Sequence, residues 1–336
     1  MIIKQTIMIR VKTPSRLHIT LIDLNGKIGR VDGGVGVALE EPSIILEAEL
    51  IDNGIKVEGD NNGRAFEAAK RTLKAYNLKG GLSIRVIQKY DEHVGLGFGT
   101  QLSLGVAFAI INLHKIHASP RKLAEIVGRG GTSGIGVAAF EYGGFIVDGG
   151  HTFGINKQKQ SFLPSSASKA PPPPVISRLD FPEDWLAILA IPKVNQRIHG
   201  SLEVELFSKY CPIPIDEVQA LSHIILMKLL PSLAEKDIVE FGDAITKIQN
   251  IGFKKIELGL QSDEVKKIMR IMTEAGAYGV GLSSFGPTLY TFVDNKKKAL
   301  AIAKAVEDCM GEVKGRVLIT KSNNKGVEIS IKSIRL

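Results

Sequence analysis

Three glycines at alternate positions precede a long apolar segment in VGLGFGTQLSLGVAFAII, and they form the clearest chemical signal in the chain. Glycine lets a ligand approach the backbone closely, and the first amides of a helix attract anions. Two polar side chains follow directly. The pattern predicts a phosphate or pyrophosphate site, and the alternative is a tight turn without a ligand. The residues assigned to the anion are Gly95, Gly97, Gly99, Thr100 and Gln101.

A second loop rich in glycine and serine, GLSSFGPT, occupies residues 281–288. Its amides and hydroxyl groups would bind the same polyanion if the two loops closed on one ligand. Taken alone, the loop is interpreted as a tight turn before a strand. The further phosphate contacts that we predict are Ser283, Ser284 and Gly286 of this loop, with Arg129, Thr132 and Ser133 of the intervening segment GRGGTSG.

Ionisable side chains are dense near the N-terminus, in TPSRLHITLIDLNGKIGRVDGG. Their grouping beside glycine-rich turns predicts a site, whereas each of them alone would be interpreted as a solvated loop residue. Histidine transfers protons near neutral pH, so His18 and His151 are candidates for an acid or base, with a structural role as the alternative. The ionisable residues expected among the turns are Arg16, His18, Asp23, Arg30 and Asp32.

The net charge of +8 favours an anionic partner. Lysines are scattered, with clusters no longer than residues 296–298 and few aromatic residues beside them, so small anionic molecules are favoured over nucleic acid. No apolar run reaches the ~18 residues that a membrane span needs. The two cysteines, Cys211 and Cys309, lack the spacing of a metal site and favour a reduced, cytoplasmic setting.

A length of 336 residues predicts two domains. Residues 7–12 alternate like a strand, and residues 35–40 and 43–50 predict a hairpin broken at Pro42. Residues 102–113 are apolar on almost every face, which predicts a buried helix behind the glycine loop. Further helices are predicted at 63–76, 120–127 and 134–142, and further strands at 82–88 and 145–148.

Residues 156–181 contain SSASKAPPPP, whose four consecutive prolines exclude a helix and favour an extended segment. The segment is either a linker between domains or an anion-binding lid that uses Ser165, Ser166, Ser168 and Lys169. We place the domain boundary here, between domains of residues 1–180 and 181–336. In the second half we predict helices at 216–230, ended by Pro231, and at 234–251, 262–275 and 295–310, and strands at 185–191, 289–293, 314–320 and 327–331.

Three motifs, SRLHITLIDLNG, GLGFGTQLSLG and GLSSFGPTLY, occur in the order found in the GHMP superfamily of small-molecule kinases. The chain resembles that superfamily over nearly its whole length. The resemblance implies an α+β fold of two domains. It implies a left-handed βαβ crossover in the N-terminal domain, against the usual right-handed rule, and a ferredoxin-like C-terminal domain.

The chain departs from the kinase pattern at its catalytic carboxylate. In the mevalonate-kinase-like members the matching segment begins S-G-x-D, whereas Ser133 and Gly134 are followed here by Ile135 and Gly136. Glycine cannot take a proton or orient a hydroxyl group. Phe98 also stands where the family has a serine in the glycine loop. The resemblance therefore implies the fold of a kinase with a different chemistry.

Three longer stretches, RGGTSGIGVAAFEYGGFIVDGGH, FLPSSASKAPPPPVISRLDFP and GLSSFGPTLY, closely resemble the β-ribofuranosylaminobenzene 5′-phosphate synthase family. This archaeal branch of the superfamily acts in methanopterin biosynthesis. The resemblance implies a ribosyl transfer from phosphoribosyl pyrophosphate to 4-hydroxybenzoate or 4-aminobenzoate, with loss of CO2 and pyrophosphate. It also implies Mg²⁺, backbone amides and basic side chains around the leaving group.

This chemistry assigns roles to the candidate residues. Asp23 and Asp32 are the carboxylates expected to bind Mg²⁺. Arg16, Arg129 or Lys169 would hold the benzoate carboxylate or the 5′-phosphate, and His18 or His151 would act as acid or base. The single acid of FIVDGG lacks the neighbouring acid of a phosphoribosyl-pyrophosphate motif, so only proximity to the site is expected of it. The residues assigned to catalysis are Arg16, His18, Asp148, His151 and Lys169, with Arg197 and His199 as further candidates.

Two other functions remain open at this point. One is an ATP-dependent kinase of a small alcohol, in which a carboxylate from elsewhere replaces Gly136. The other is a catalytically silent relative that only binds ligands. For partners, the sequence favours small anionic substrates, with neither a nucleic acid nor a membrane, and leaves a homodimer as one possible assembly.

Overall fold

The computed structural model describes residues 5–194, 198, 200–311 and 314–335, which fold into two sheets with helices packed against them. The strands are β1 (Gln5–Asp23), β2 (Arg30–Ile51), β3 (Ile55–Glu58), β4 (Gly81–Gln88), β5 (Phe145–Asp148), β6 (His151–Thr152), β7 (Val175–Leu179), β8 (Leu186–Pro192), β9 (Gly281–Leu282), β10 (Leu289–Val293), β11 (Gly315–Lys321) and β12 (Glu328–Arg335). The helices are α1 (Arg64–Ala75), α2 (Phe98–Leu113), α3 (Pro120–Val127), α4 (Ile135–Glu141), α5 (Ser201–Tyr210), α6 (Ile215–Ile224), α7 (Leu230–Glu235), α8 (Ile238–Gln249), α9 (Gly252–Gly259), α10 (Asp263–Glu274) and α11 (Lys296–Cys309).

The first sheet has the order β12-β1-β2-β4-β3, and β2 also pairs with β5 and β6. Strands β3 and β4 are parallel and are joined through α1, which is the βαβ unit expected of the N-terminal domain. The C-terminal strand β12 pairs with β1, so the chain returns to the first sheet at its end. The predicted boundary at residue 180 therefore lies between the strands of the two sheets, except that β12 follows it and belongs to the first sheet.

The two longest strands differ from the expectation. Strand β1 continues to Asp23 and β2 begins at Arg30, so the prediction of turns at Arg16, His18, Asp23, Arg30 and Asp32 is wrong. The predicted hairpin at Pro42 is also wrong, because β2 is one strand. Residues 40–43 of β2 lie opposite the single Pro14 of β1. The strand pairing therefore continues past Pro14 and Pro42 with a shift in register.

The second sheet has the order β11-β8-β10-β9, and the pairs within it are antiparallel. In the numbering of its own strands this is the order 4-1-3-2 of a ferredoxin-like domain, as the resemblance implied. Helices α10 and α11 pack against it through an apolar cluster that includes Ile268, Met272 and Ile302. Helices α5 to α9 form a helical insertion between β8 and β9.

One prediction for this insertion is wrong. We expected Pro231 to end a helix, but α6 continues through a π-helical stretch, Ile225–Leu229, into α7. Pro231 lies in the first turn of α7, directly after the π-helical stretch. That stretch already changes the hydrogen-bond pattern of the helix at this point, so the helical path passes the proline without ending.

An aromatic cluster joins the two halves of the chain. Phe181 packs against Phe145 of the first sheet and Phe292 of the second, with ring centroids 6.5 and 4.7 Å apart. Phe241 of α8 contacts Trp185 and Phe292 at 5.3 and 5.8 Å. All of these rings are buried and belong to one continuous core, so the halves fold against each other rather than standing apart.

The proline-rich segment 156–174, here called the strap, is attached to the first sheet by a buried ionic network. Lys159 Nζ donates to both carboxylate oxygens of Asp32, at 3.0 and 2.9 Å. His151 Nδ1 lies 2.6 Å from Asp32 Oδ2, and its Nε2 lies 2.8 Å from the Pro171 carbonyl. Thr132 Oγ1 donates to the Leu163 carbonyl at 2.6 Å. The strap is thus fixed to the N-terminal half, and the linker interpretation is wrong.

No helix in the described part of the chain is long and apolar enough to cross a membrane. Cys211 and Cys309 are both free thiols.

Replacing the carboxylate of the strap network should destabilise the protein strongly. In Asp32→Ala, the Lys159 ammonium would remain buried without its partner, at a cost of about 3–5 kcal/mol in the free energy of unfolding. Urea denaturation followed by circular dichroism measures this loss. Asp308→Ala is the matched control, because its ion pair with Lys304 is largely exposed and its loss should leave the unfolding midpoint unchanged. Equal midpoints for the two variants would show that the network does not stabilise the fold.

Candidate active site

A cavity of about 210 Å³ opens over the glycine loop, where the two halves of the chain meet. It contains predicted residues from five separate segments, which shows that these segments converge on one place. The glycine loop, the second loop, strand β1, the segment before α4 and the strap all contribute to its wall. The predicted residues that line it are Arg16, Gly95, Gly97, Gly99, Thr100, Arg129, Ser133, Ser165, Ser166, Ser284 and Gly286.

The glycine loop turns sharply into α2. Gly95 and Gly97 have left-handed backbones, with φ of 85° and 82°, and α2 begins directly afterwards at Phe98. The helix therefore starts earlier than predicted, and Gly99, Thr100 and Gln101 belong to its first turn. The first amides of a helix have no intrahelical partner, so they are available to an anion here. The ring of Phe98 is buried edge-on against Tyr90, at 5.6 Å between centroids, and so supports the core rather than the ligand.

The second loop is bonded directly to the first. Arg16 Nη1 and Ser283 Oγ both donate to the Gly95 carbonyl, at 2.5 and 2.7 Å. Thr288 Oγ1 donates to the Val94 carbonyl at 2.5 Å. A Cβ on Gly95 would collide with the Ser283 carbonyl oxygen, so only glycine fits at this contact. Ser283 thus holds the loops together, and Ser284 faces the cavity.

Two arginines converge on the start of α2. A Cβ on Gly99 would lie 3.0 Å from Arg64 Nη1 and 3.2 Å from Arg129 Nη2. The buried Nε of each has no hydrogen-bond partner among the described residues, although Arg64 also pairs with Glu92 at 3.1 Å. Burial, followed by the charges of Arg64 and Arg71, lowers the pKa of Arg129 to about 10. Guanidinium groups held this close with donors to spare suit a phosphate group.

Arg64 was missed by the sequence analysis. It opens α1, and nothing in its local sequence distinguishes it from the other arginines of the chain. Only the packing of α1 against α2 brings it to the glycine loop. The helix-start signal before it could have marked its position, but not its partner.

Arg16 lies at the centre of this arrangement. Burial lowers its pKa to about 10, with opposing contributions from Tyr90 and Glu257. A Cβ on Gly97 would lie 3.1 Å from Arg16 Cγ and 3.3 Å from its Nε. The guanidinium therefore lies across the loop and adds a third positive charge to this end of the cavity.

Two of the other predicted residues are buried outside the cavity. Burial, together with the charges of Arg16 and Lys254, holds the pKa of His18 well below its usual value, so its ring is neutral and cannot act as an acid at neutral pH. Asp148 accepts hydrogen bonds from the amides of Gly134 and Gly150, at 2.9 and 3.0 Å, and burial raises its pKa to about 6.

The remaining predicted site residues that the structure describes do not line the cavity. His151 and Thr132 belong to the strap network described above, and Gln101 Nε2 donates to the Gly136 carbonyl at 2.8 Å. Lys169 is exposed on the strap, away from the residues that line the cavity. Arg197 and His199 lie outside the described residues.

The predicted Mg²⁺ pair does not line the cavity. Both oxygens of Asp32 are engaged by Lys159, and one of them also contacts His151. Asp23 Oδ1 accepts from the amides of Asn25 and Gly26, at 2.7 and 3.0 Å. Within the described residues no cluster of three or more His, Cys, Asp or Glu side chains has the arrangement of a metal site. These contacts do not fit Mg²⁺ ligation by Asp23 and Asp32, although Mg²⁺ itself stays a prediction.

Gly136, where the resemblance implies a carboxylate in the kinases, packs closely against α2. A Cβ on Gly136 would lie 3.2 Å from Thr100 Cγ2, which is tighter than an ordinary contact. Gly136 lines the cavity beside the glycine loop. The absence of a side chain there lets α4 approach α2 closely.

Another part of the cavity lining has a different character. Ile198 and Phe285 line it with Ser165 and Ser166 of the strap, and Glu203 of α5 contributes a carboxyl group. Ser166 Oγ donates to Glu203 Oε2 at 3.2 Å. Burial raises the pKa of Glu203 to about 7. Neither α5 nor this carboxyl group was predicted from the sequence.

Comparison with known proteins identifies this architecture. The family described as GHMP kinases N terminal domain matches residues 63–144, and GHMP kinases C terminal matches residues 229–312. The beta-ribofuranosylphenol 5′-phosphate synthase of Methanothermobacter thermautotrophicus is 47% identical, over 94% of this chain and 97% of the relative. That of Archaeoglobus fulgidus is 48% identical, over 96% and 100%. The chain belongs to the beta-ribofuranosylphenol 5′-phosphate synthase family.

Solved structures show how widely this fold is shared. The homoserine kinase of Cytophaga hutchinsonii superposes with a TM-score of 0.69 at 16% identity, over 96% of this chain and 97% of that one. The mevalonate kinase of L. major gives a TM-score of 0.69 at 13% identity, over 94% and 96%. These likenesses confirm the predicted α+β fold of the GHMP kinases. At such identities they carry the fold alone.

A side chain at the centre of the glycine loop should abolish activity without unfolding the chain. In Gly97→Val the branched side chain would displace Arg16 from the loop, and we expect turnover to fall at least ~100-fold. Steady-state assays of the purified variant measure the change. Gly54→Val is the matched control, since Gly54 shares a left-handed φ of 78° but a Cβ there would meet nothing within 4 Å. Full activity in Gly97→Val would contradict an anion role for the loop.

Proposed function

We propose that this chain transfers the 5-phosphoribosyl group of phosphoribosyl pyrophosphate to a 4-substituted benzoate, with release of pyrophosphate and CO2. The ring carbon that bears the carboxylate attacks the anomeric carbon, and the bond to pyrophosphate breaks. Loss of CO2 then restores the aromatic ring. The observation that supports this most directly is the basic cavity over the glycine loop, in a chain 47% identical to a named synthase.

The chain's own groups suit the departure of a diphosphate. Negative charge develops on the leaving pyrophosphate, and the first amides of α2 with the guanidinium groups of Arg16, Arg64 and Arg129 are already oriented towards its expected place. Fixed donors of this kind stabilise a developing charge without reorganisation. Mg²⁺ remains a predicted cofactor that would neutralise further charge when bound, and no described side chain is assigned to it.

The acceptor follows from the names of the relatives. Their printed product is a ribofuranosylphenol phosphate, so we favour 4-hydroxybenzoate over 4-aminobenzoate. We propose the same place in methanopterin biosynthesis, in the cytoplasm. A homodimer stays a prediction.

The alternative function is an ATP-dependent kinase of a small alcohol. The matches to both GHMP kinase family descriptions favour it. Gly136 opposes it, because the proton of the acceptor alcohol would have no carboxylate at the place where mevalonate-kinase-like members carry one.

Product analysis separates the two functions. With phosphoribosyl pyrophosphate and carboxyl-labelled 4-hydroxybenzoate, we expect labelled CO2 and pyrophosphate in equal amounts, because each transfer breaks one bond of each kind. With ATP and homoserine, mevalonate or a sugar, we expect no ADP. ADP formation without labelled CO2 would establish the kinase instead, and ligand binding without either product would establish a silent relative.

Restoring the kinase aspartate should not create a kinase. In Gly136→Asp the new side chain would press against Thr100, so we expect lower transferase activity and no ATP-dependent phosphorylation of homoserine or mevalonate. Coupled ADP assays test this outcome. Gly136→Ala is the matched control, since it crowds Thr100 without adding a carboxylate. ADP formation in the aspartate variant alone would show that the cavity is still laid out for phosphoryl transfer.

A further inference from the structure

The cavity is lined by residues of two chemical kinds. Arg16, Arg64 and Arg129 surround the glycine loop, which we call the diphosphate end. Ile198 and Phe285 also line the cavity, and they belong to an apolar cluster that α5 completes. A sugar diphosphate suits the arginines, and an aromatic ring suits the apolar residues.

One carboxyl group lies among the apolar residues that line the cavity. Glu203 projects from α5 into the cavity, between the apolar residues Leu202 and Leu206 of the same helix. Its Oε2 accepts a hydrogen bond from Ser166 Oγ of the strap. The sugar diphosphate does not need a carboxylate at this place, because like charges would repel each other there. A neutral acceptor group with an acidic proton would need one.

We propose that Glu203 is a catalytic residue that takes the proton of the acceptor's para-hydroxyl group as the ring attacks the anomeric carbon. This inference rests on the proposed function. The para position is the ring atom farthest from the attacking carbon. An acceptor whose carboxylate-bearing carbon faces the diphosphate must therefore direct its hydroxyl group away from the diphosphate. Of the two carboxyl groups among the described residues that line the cavity, Glu92 pairs with Arg64, whereas Glu203 accepts from a serine beside the apolar residues that suit the ring.

The step balances without another reactant. A bond forms between the ring carbon and the anomeric carbon while the bond from that carbon to pyrophosphate breaks. The hydroxyl proton passes to Glu203, and the ring becomes a dienone that still bears its carboxylate. The electron pair of the bond to the carboxylate then returns to the ring as CO2 leaves. The phenolate so formed recovers its proton from Glu203, which ends the cycle ionised.

The surroundings of Glu203 suit a proton acceptor near neutral pH. Burial, with a smaller contribution from the charge of Glu257, raises its pKa to about 7, against the hydrogen bond from Ser166. The other ionisable residues that line the cavity are Arg16, Arg64, Glu92, His93 and Arg129. A base must be ionised to accept a proton, so the turnover number with 4-hydroxybenzoate should fall as the pH falls through about 7.

Glu203→Gln removes the base and keeps the shape of the side chain. We expect its turnover number with 4-hydroxybenzoate to fall about 10²–10⁴-fold, which is the usual effect of losing general base catalysis. Glu203→Asp should recover part of the loss. Glu205→Gln is the matched control, because Glu205 lies on the same helix and is exposed. Calorimetric titration of phosphoribosyl pyrophosphate should give the same dissociation constant in all variants, which shows that the diphosphate end is intact.

A structural role would not reproduce two further results. The variant Glu203→Gln should lose the fall in turnover at acidic pH. The fold-loss in its turnover number relative to the wild type should be smaller with 3-fluoro- and 3,5-difluoro-4-hydroxybenzoate. The hydroxyl groups of these acceptors ionise more readily and need less help from a base.

Three outcomes are decisive. Turnover by Glu203→Gln at the wild-type level would overturn the proposal. An equal loss with every acceptor and an unchanged pH profile would also overturn it, because both would assign Glu203 to structure. A wild-type protein that releases no pyrophosphate with either benzoate would instead refute the proposed function itself, so the two failures are distinguishable.

Discussion

The Gly95 carbonyl oxygen is the point on which the site depends. It accepts hydrogen bonds from Arg16 of the first sheet and from Ser283 of the second loop. Ser283 Oγ in turn accepts from the His18 amide at 2.9 Å. Strand β1, the glycine loop and the second loop therefore meet in one small buried network, where any unpaired polar group would be costly. The cavity exists because these three segments are held at fixed distances around it.

A second buried pair supports the second loop from below. Lys254 and Glu257 of α9 form an ion pair with side-chain exposures of 0% and 5%. Lys254 Nζ also donates to the carbonyls of Leu282 and Ser284, at 3.2 and 3.3 Å. Burial is the main cause of the low pKa of His18, and the charges of Arg16 and Lys254 lower that pKa further. The lysine that holds the second loop therefore also helps to keep His18 neutral. Lys254 therefore has both a structural role, in the second loop, and an electrostatic role, at His18.

In the free protein the positive charges around the glycine loop repel one another. Arg64 and Arg129 approach each other across Gly99 while Arg16 lies on Gly97, and burial works against each buried charge. A bound diphosphate would relieve this repulsion and satisfy the spare donors. The strap contributes Ser165 and Ser166 to the lining of the cavity. Its attachment explains why Asp32, His151 and Lys159 are buried away from the cavity.

The sequence by itself determined the fold and the location of the glycine loop that lines the cavity. The three ordered motifs identified the superfamily, and the glycines before α2 located the loop, because left-handed turns and close backbone approach require glycine. The sequence also has a glycine, Gly136, where the resemblance implies a kinase carboxylate. Only the tertiary structure decided which ionisable residues face the cavity. Asp32 and His151 proved to hold the strap, whereas Arg64 and Glu203 entered the site from helices α1 and α5. The physical reason is that an ionisable side chain has no local signature of its role. Its function depends on partners far away in the chain, and those partners are set by packing.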